Sequence, residues 1–402
     1  MNKKPRQKIH QKKFVIWFIA VALSILAIFV GNRIATKDFS LFSVSAEETV
    51  KGKVIAVLDR SIDEIPVGET ESYTSTNITF TAKIKNGLYK DQVVTVQQLI
   101  DSMFAGSEFI KEVEPGDNIM LLKMDDPNTD VTPWQFVDYY RFDKIVILGL
   151  IFAGLVLLIG RWKGINTLLS LTFTFLFVFF VFVPSVMNGY NTYISAVITC
   201  LYTITMTLVL INGASKKTLA TMIGCISGTI IAAVTTTIMS RILHLTGFVD
   251  EHSIYLTMLN PDKPIELTAI IFAAIIIGAM GAIMDVAMDI SSALFELCEH
   301  APNITFQKLF KSGMSIGRDI MGTMANTLVL AYIGSSLTTI MLLLTYSDSL
   351  LYLLNREIII VELLQALIGS SAIILTIPLT VITCGFLYIR SNESNKKPIS
   401  TS

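Results

Sequence analysis

Residues 267–297 read LTAIIFAAIIIGAMGAIMDVAMDISSALFEL. No charge interrupts the run before Asp285, and about 18 such residues make roughly 27 Å of helix. A hydrocarbon core is about 30 Å thick, so the stretch predicts a membrane-crossing helix. Asp285 then falls at the rim of that layer and Asp289 beyond it. Gly278, Gly281, Ala282, Asp285, Asp289, Ser292 and Glu296 recur at helical spacing, so they share one stripe that is small at its start and acidic at its end. Small residues let another helix approach closely. Two neighbouring carboxylates repel, so a cation between them or a proton on one is expected.

The whole chain has the same character. Of its 402 residues, 52% are hydrophobic and only 16% are charged, with a mean hydropathy of +0.62. Soluble domains carry about 25% charged residues. The net charge of −1 gives no basic field for nucleic acid. Cys200, Cys225, Cys298 and Cys384 lie in or beside apolar runs, without CxxC or Cys/His pairing. They are expected to be buried apolar groups rather than metal ligands or a disulfide framework.

About eight runs reach spanning length: 14–31, 144–160, 164–184, 193–212, 218–240, 267–285, 319–345 and 362–389. The first follows a basic N-terminal segment. The small-residue pattern SVSA (43–46) resembles a cleavage site, but it lies too far past the apolar run, which favours an uncleaved anchor. Lys and Arg occur in GRWKG (160–164), NGASKK (212–217), residues 286–318 and RSNESNKKP (390–398). The alternate short segments carry few: none in 185–192 and only Arg356 in 346–361, while 241–266 has Arg241 and Lys263 against Asp250, Glu251, Asp262 and Glu266. Basic residues favour cytoplasmic loops, so both termini are expected inside.

Residues 33–143 form the one long polar insert. KGKVIAVLD (51–59), ITFTAKIKNG (78–87), DQVVTVQQLI (91–100), DNIMLLKM (117–124) and WQFVDYY (134–140) read as strands. Asn86-Gly87 and EPGDN (114–118) read as turns. The expected fold is therefore an α-helical polytopic membrane protein with a small extracytoplasmic β-rich domain, a barrel or sandwich, after the first helix. The expected domains are 1–43, a basic segment and anchor; 44–143, the β-rich domain; 144–389, a seven-helix membrane domain; and 390–402, a cytoplasmic tail.

SIGRDIMGTMANTLVLAYIG (315–334) places Asp319, Gly322, Thr323 and Asn326 on one helical face beside Arg318. Two readings are open. In one, Arg318 makes a fixed ion pair with Asp285 or Asp289, and Asp319 stabilises a helix N-terminus. In the other, Asp285, Asp289, Asp319 and Asn326 form a cation or proton site, as ionisable residues in spanning segments often do. Between the two spans, residues 291–314 read as two amphipathic helices on the inner membrane surface, the second capped by Thr305, with His300 in a solvated loop. GCISG (224–228) is a close-packing motif through Gly224 and Gly228, and Gly278, Gly281 and Gly322 are expected to pack likewise. Asp250, Glu251 and His252 are grouped, and are read as a solvated surface cluster. No GxxxxGK[ST], HExxH or Ser/His arrangement occurs, so no ATPase site, catalytic residue, metal or cofactor is expected.

MDVAMDISSALFEL (284–297), SGMSIGRDIMGTMANTLVLAYIGSSL (312–337) and GRWKGINTLLSL (160–171) resemble the YibE/F-like family of bacterial membrane proteins. NGLYKDQVVTV (86–96) and FVDYYR (136–141) resemble the extracytoplasmic segment of its longer members. The resemblance implies a multi-pass protein of the bacterial plasma membrane and supplies no catalytic residues. Its pattern favours Asp285 over Asp289 as the acid that pairs across to Arg318 and Asp319. The expected function is a transporter, permease or channel-like protein for an ion or small solute, without its own ATPase. The alternative is a scaffold or sensor whose β domain binds an envelope partner. The lipid bilayer is the expected partner, with a homo-oligomer or a hetero-oligomer with a shorter relative as further partners.

Overall fold

The computed structural model describes residues 4–37, 49–67, 71–102, 109–123, 133–249, 251–258, 264–301, 303–346 and 349–395. SVSA, Asp250 and the tail from Lys396 lie outside them. The chain divides into two compact units: Phe42–Leu155, and Met1–Leu41 together with Val156–Ser402.

The first unit holds the strands β1 (Thr49–Val67), β2 (Glu71–Ile84), β3 (Val93–Asp101), β4 (Asn118–Lys123) and β5 (Trp134–Tyr139). They close into a barrel in the order β1-β2-β3-β5-β4. Between the two alternatives of barrel and sandwich, the chain takes the barrel. Alternation decides which side chains point in: Ile78, Phe80, Ala82 and Ile84 of β2 are all fully buried, as are Val96, Ile119 and Leu121 opposite them. The β2–β3 turn uses left-handed residues, Gly87 at φ 76° and Asp91 at φ 68°. Gly116, at φ 97°, makes the predicted turn before β4.

Ion pairs ring the barrel surface. Arg60 reaches Glu112 at 2.8 Å, Lys83 reaches Asp91 at 2.9 Å, and Arg141 reaches Asp138 at 2.7 Å. Each hydrogen-bonded cation holds its carboxyl below the usual carboxylate range.

The second unit is helical. Its elements are α1 (Lys4–Ala35), the C-terminal part of α2 (Phe142–Phe177), a short π-helical turn (Val178–Phe182), α3 (Val183–Met187), α4 (Thr192–Asn212), α5 (Lys216–Ile242), α6 (Glu251–Met258), α7 (Leu267–His300), α8 (Phe306–Ser335), α9 (Leu337–Tyr346), α10 (Leu350–Leu354) and α11 (Glu357–Asn395). Among the described residues, six stretches are long and apolar enough to cross a membrane: Val15–Ala35, Phe142–Met187, Thr192–Asn212, Lys216–Ile242, Leu267–His300 and Glu357–Tyr388. Helices α8 and α9 pass the same test together, bent by 59°. The expected single helix over 319–345 is therefore broken, at the Gly334-Ser335-Ser336 run, where small polar residues commonly interrupt a helix.

The chain also turns sharply within α2. Arg161 takes a φ of 48° and a ψ of −125°. A β-carbon on Gly164 would strike the backbone of Val156 and Leu157. Residues eight apart in a straight helix stand about 12 Å apart, so the chain folds back at Arg161. Glycine at 164 is what allows the two arms to touch. Helix α1 docks on this region: Trp17 donates to Asn166 at 2.9 Å, and Gly31 lies against Val181.

Helix α11 runs through the centre of the unit and packs on α5, α7 and α8. Thr380 and Thr376 fill the hollows at Gly224 and Gly228 of α5. Val381 and Ile377 fill those at Gly313 and Gly317 of α8. At its N-terminal end Glu357 accepts from the backbone N–H groups of Thr246 (2.8 Å) and Gly247 (2.5 Å), which ties the turn after α5 to α11.

The expected amphipathic surface helices do not form. Helix α7 continues unbroken to His300, and α8 begins at Phe306. Ile290, Leu294 and Leu309 are fully buried in the main helical core with Val381 and Cys384, so their apolar faces meet protein. Thr305 does occupy the N-cap position of α8 but makes no side-chain cap bond, and His300 closes α7 with its ring at 2.9 Å from the Glu296 carbonyl. The four cysteines are all buried and free.

Three outcomes test this fold. In a segment spanning residues 44–140, Phe80→Ala should cost about 3–5 kcal/mol in denaturant unfolding. In the same segment the carboxyls of Asp91 and Glu112, whose cations lie within it, stabilise the folded state above their ordinary range, and that contribution is lost as pH falls through their lower folded values. The melting temperature should therefore fall below about pH 4, and less steeply in Glu112→Gln. In the full chain, Gly224→Leu should lower the detergent-solubilised melting temperature by overpacking the α5–α11 contact, while Thr380→Ser should leave it nearly unchanged.

Candidate functional site

Helix α7 is almost enclosed by α4, α5, α8 and α11. Between Leu267 and Cys298 its exposed residues are Ala274, Gly278, Gly281, Asp285, Asp289 and Glu296. Their steps of three, four and seven place them on one strip along the helix. The stripe read from the sequence is thus the one face of α7 that the bundle leaves open.

Helix α8 runs antiparallel beside it and also keeps a polar face open. Ser315, Arg318, Asp319, Gly322, Thr323, Asn326 and Thr327 are all exposed. Two contacts set the register. A β-carbon on Gly278 would lie 2.6 Å from the Tyr332 hydroxyl. Further in, Glu296 and Leu297 share a 520 Å³ cavity with Ser312, Ser315 and Ile316. Counting from Gly278 and Tyr332 at 1.5 Å per residue, Asp285 is about 10 Å down α7 and Asn326 about 9 Å down α8. The same count puts Asp289 level with Gly322.

Arg318 lies about 21 Å below Tyr332, roughly two turns past Asp285. The expected Arg318–aspartate ion pair is accordingly absent: the ion pairs found among the described residues all lie in the β-barrel unit. The count sets Asp285 level with Asn326, and no ion pair joins Asp285, Asp289 or Asp319 to a cation among the described residues. Asp319 falls inside α8, three turns from its start, so it does not stabilise the helix N-terminus. Gly278 makes a helix contact, whereas Gly281 and Gly322 have nothing within 4 Å of where a side chain would begin. These two glycines leave open space on the exposed faces of α7 and α8 instead of making a helix contact.

Below the rim, Ser291 and Thr221 share a hydrogen bond of 2.5 Å, and the Tyr388 hydroxyl donates to the Ser291 carbonyl at 3.2 Å. These bonds satisfy the hydroxyls of Thr221, Ser291 and Tyr388 without using a charge.

A second polar feature lies at the opposite end of α5 and α7. Tyr193, Thr237, Ser240, Arg241, His244, Glu266, Thr268 and Phe272 line a 710 Å³ cavity. The Tyr193 and Thr268 hydroxyls each donate to Glu266 at 3.0 Å. Sequence reasoning counts Arg241 and Glu266 only as loop charges. Each flanks an apolar run, and only the fold brings them together with Tyr193. Sequence reasoning also misses Glu362, although a lone acid inside IIIVELLQALI (358–368) is a visible signal.

Residues 148–390, more than half of the chain, match a family model described as YibE/F-like protein. No curated protein and no solved structure matches the chain.

If Asp285 and Arg318 are not paired, a double-mutant cycle of Asp285→Asn and Arg318→Gln should be additive within about 0.5 kcal/mol in detergent unfolding. A coupling above about 1 kcal/mol would show that they interact.

Proposed function

The chain belongs to the YibE/F-like family, and from that footing we propose that it is a multi-pass transporter, permease or channel-like protein for a small cation or solute, without its own ATPase. The observation that carries this reading is the open strip on α7, where Asp285 and Asp289 stand exposed and without a cation partner among the described residues. An ionised carboxylate at a membrane rim that no Arg or Lys satisfies is free to hold a mobile cation. Asn326, level with Asp285, adds a neutral oxygen of the kind hard cations accept. The cavity around Arg241 and Glu266 supplies a polar chamber at the other end of the same helices.

The topology that fits this reading has about eight crossings. It divides Phe142–Met187 at the Arg161 reversal and counts the bent α8–α9 pair as one. With the basic loops inside, both termini are cytoplasmic and residues 33–143 extracytoplasmic, in a bacterial plasma membrane. Helix α1 then serves as an uncleaved anchor. A second copy of the chain, or a shorter relative, would shield the open faces of α7 and α8 from lipid.

One observation favours the scaffold reading. Leu58 and Ile62 on β1 are 59% and 53% exposed, and Leu99 on β3 is 59% exposed, which gives the barrel unit apolar side chains for a partner to cover.

Proteoliposomes assayed against a panel of monovalent and divalent cations and small solutes test the leading reading. Flux above that of empty vesicles is expected, falling at least about tenfold in Asp285→Asn, a loss of roughly 1.4 kcal/mol in the limiting step. No movement of any solute, with specific capture of an envelope protein by the 44–140 segment, would favour the scaffold instead.

A further inference from the structure

The cavity at the N-terminal end of α7 carries one uncommitted charge of each sign. Glu266, at the N-cap of α7, accepts on Oε1 from the hydroxyls of Tyr193 and Thr268, at 3.0 Å each. Its Oε2 accepts from nothing among the described residues. Arg241, in the last turn of α5, lines the same 710 Å³ cavity. No ion pair joins it to Glu266, and no other carboxylate among the described residues takes that place. The guanidinium therefore keeps its N–H donors, and the carboxylate keeps one oxygen.

The elements that carry these charges are locked together. The Tyr193 ring packs on Phe272 with centroids 4.9 Å apart, which fixes the hydroxyl that holds Glu266. The turn after α5 is pressed on the first turn of α7, because a β-carbon on Gly247 would strike Leu267 and the Thr268 nitrogen. Glu357 of α11 grips the same turn through the N–H groups of Thr246 and Gly247. At the start of that turn His244, which also lines the cavity, takes a left-handed φ of 50°. Such strain persists only where the surroundings over-determine the conformation. The charges are thus pre-set on packed elements, which lowers the ordering cost of binding.

The charge pattern selects the ligand. A simple anion would gain Arg241 but face the Glu266 carboxylate. A metal cation would gain Glu266 but face Arg241, and no group of three His, Cys, Asp or Glu ligands stands ready among the described residues. A molecule with both signs satisfies both residues. A guanidinium pairs bidentately with a carboxylate, and an ammonium donates to a carboxylate oxygen. Thr237 and Ser240 add neutral hydroxyls to the wall. The volume falls within the range of small-molecule pockets, roughly 300–1,000 Å³.

We propose that this cavity binds a small zwitterionic solute, with its acid group on Arg241 and its ammonium on Glu266. Both contacts are non-covalent, and no bond is made or broken. That the solute goes on to cross the membrane rests on the transport reading; binding itself does not.

Isothermal titration calorimetry on the full chain in detergent tests it. Glycine, leucine and γ-aminobutyrate serve as zwitterions, and acetate and methylammonium as single-charge probes. At least one zwitterion should bind at least about tenfold more tightly than either single-charge probe. Arg241→Gln and Glu266→Gln should each weaken that binding by at least about tenfold. Glu266→Gln should also take acetate more tightly than the wild type does, a gain that a misfolded variant cannot show. The proposal is overturned if no zwitterion binds, if a single-charge probe binds as well, or if either variant binds zwitterions like the wild type. It is overturned too if Glu266→Gln loses the zwitterion without gaining acetate. Zwitterion binding by a protein that moves no solute in proteoliposomes would defeat the transport reading and leave the site standing. Cation flux without zwitterion binding would do the reverse.

Discussion

Everything in the helical unit depends on how closely α11 approaches its neighbours. In lipid there is no hydrophobic gain from pressing one apolar helix on another, so association relies on tight van der Waals contact through small residues. Helix α11 meets that constraint on two sides. Thr376 and Thr380 enter the Gly224 and Gly228 hollows of α5, and Ile377 and Val381 enter the Gly313 and Gly317 hollows of α8. The threonine hydroxyl of residue 376 turns back to the Ala372 carbonyl at 2.7 Å, so it adds bulk without adding an orphan polar group. These contacts enclose α7 on every side but one.

The open side is where the chemistry accumulates. Had the acids on α7 been placed opposite Arg318, they would form a structural clamp, and the strip would have a purely mechanical explanation. The register of α7 and α8 prevents that. It sets Asp285 level with Asn326 and leaves Arg318 further along, with open space at glycines 281 and 322 on the two exposed faces. The bundle thus uses its small residues in two ways: some bring helices together, and these two hold space open beside carboxylates. At the far end of the same helices, Glu266 is bound by two hydroxyls while Arg241 and His244 stand around the cavity with it.

The parts of this arrangement that are legible in the sequence are those set by local rules. All five strands fall where β-branched alternation puts them, because the barrel interior reads one side chain in two. The α7 stripe is legible because helical period alone decides which residues share a face. What the sequence conceals depends on neighbours. Ile290, Leu294 and Leu309 present the same apolar periodicity whether they face lipid or α11, so the ends of α7 and α8 read as surface helices although they extend the bundle. The Arg318 pairing fails because antiparallel register is fixed far away, by Gly278 against Tyr332. The break at Ser336 and the reversal at Arg161 each have a local sign, a Gly-Ser-Ser run and a Gly-Arg step, but nothing nearby gives their angle. Glu362 shows the opposite lapse, a plain signal eclipsed by the more conspicuous pair at 285 and 289.

The central claim is that the acids on α7 open to water rather than to lipid or to a fixed cation. Thiol accessibility tests this most directly. With Cys200, Cys225, Cys298 and Cys384 replaced by alanine, Asp285→Cys should react with a membrane-impermeant maleimide added to inside-out vesicles, as should Asn326→Cys. Ile283→Cys, two residues away on the buried face, should stay unmodified. If Asp285→Cys is as fully protected as Ile283→Cys, the strip is sealed and the account is wrong.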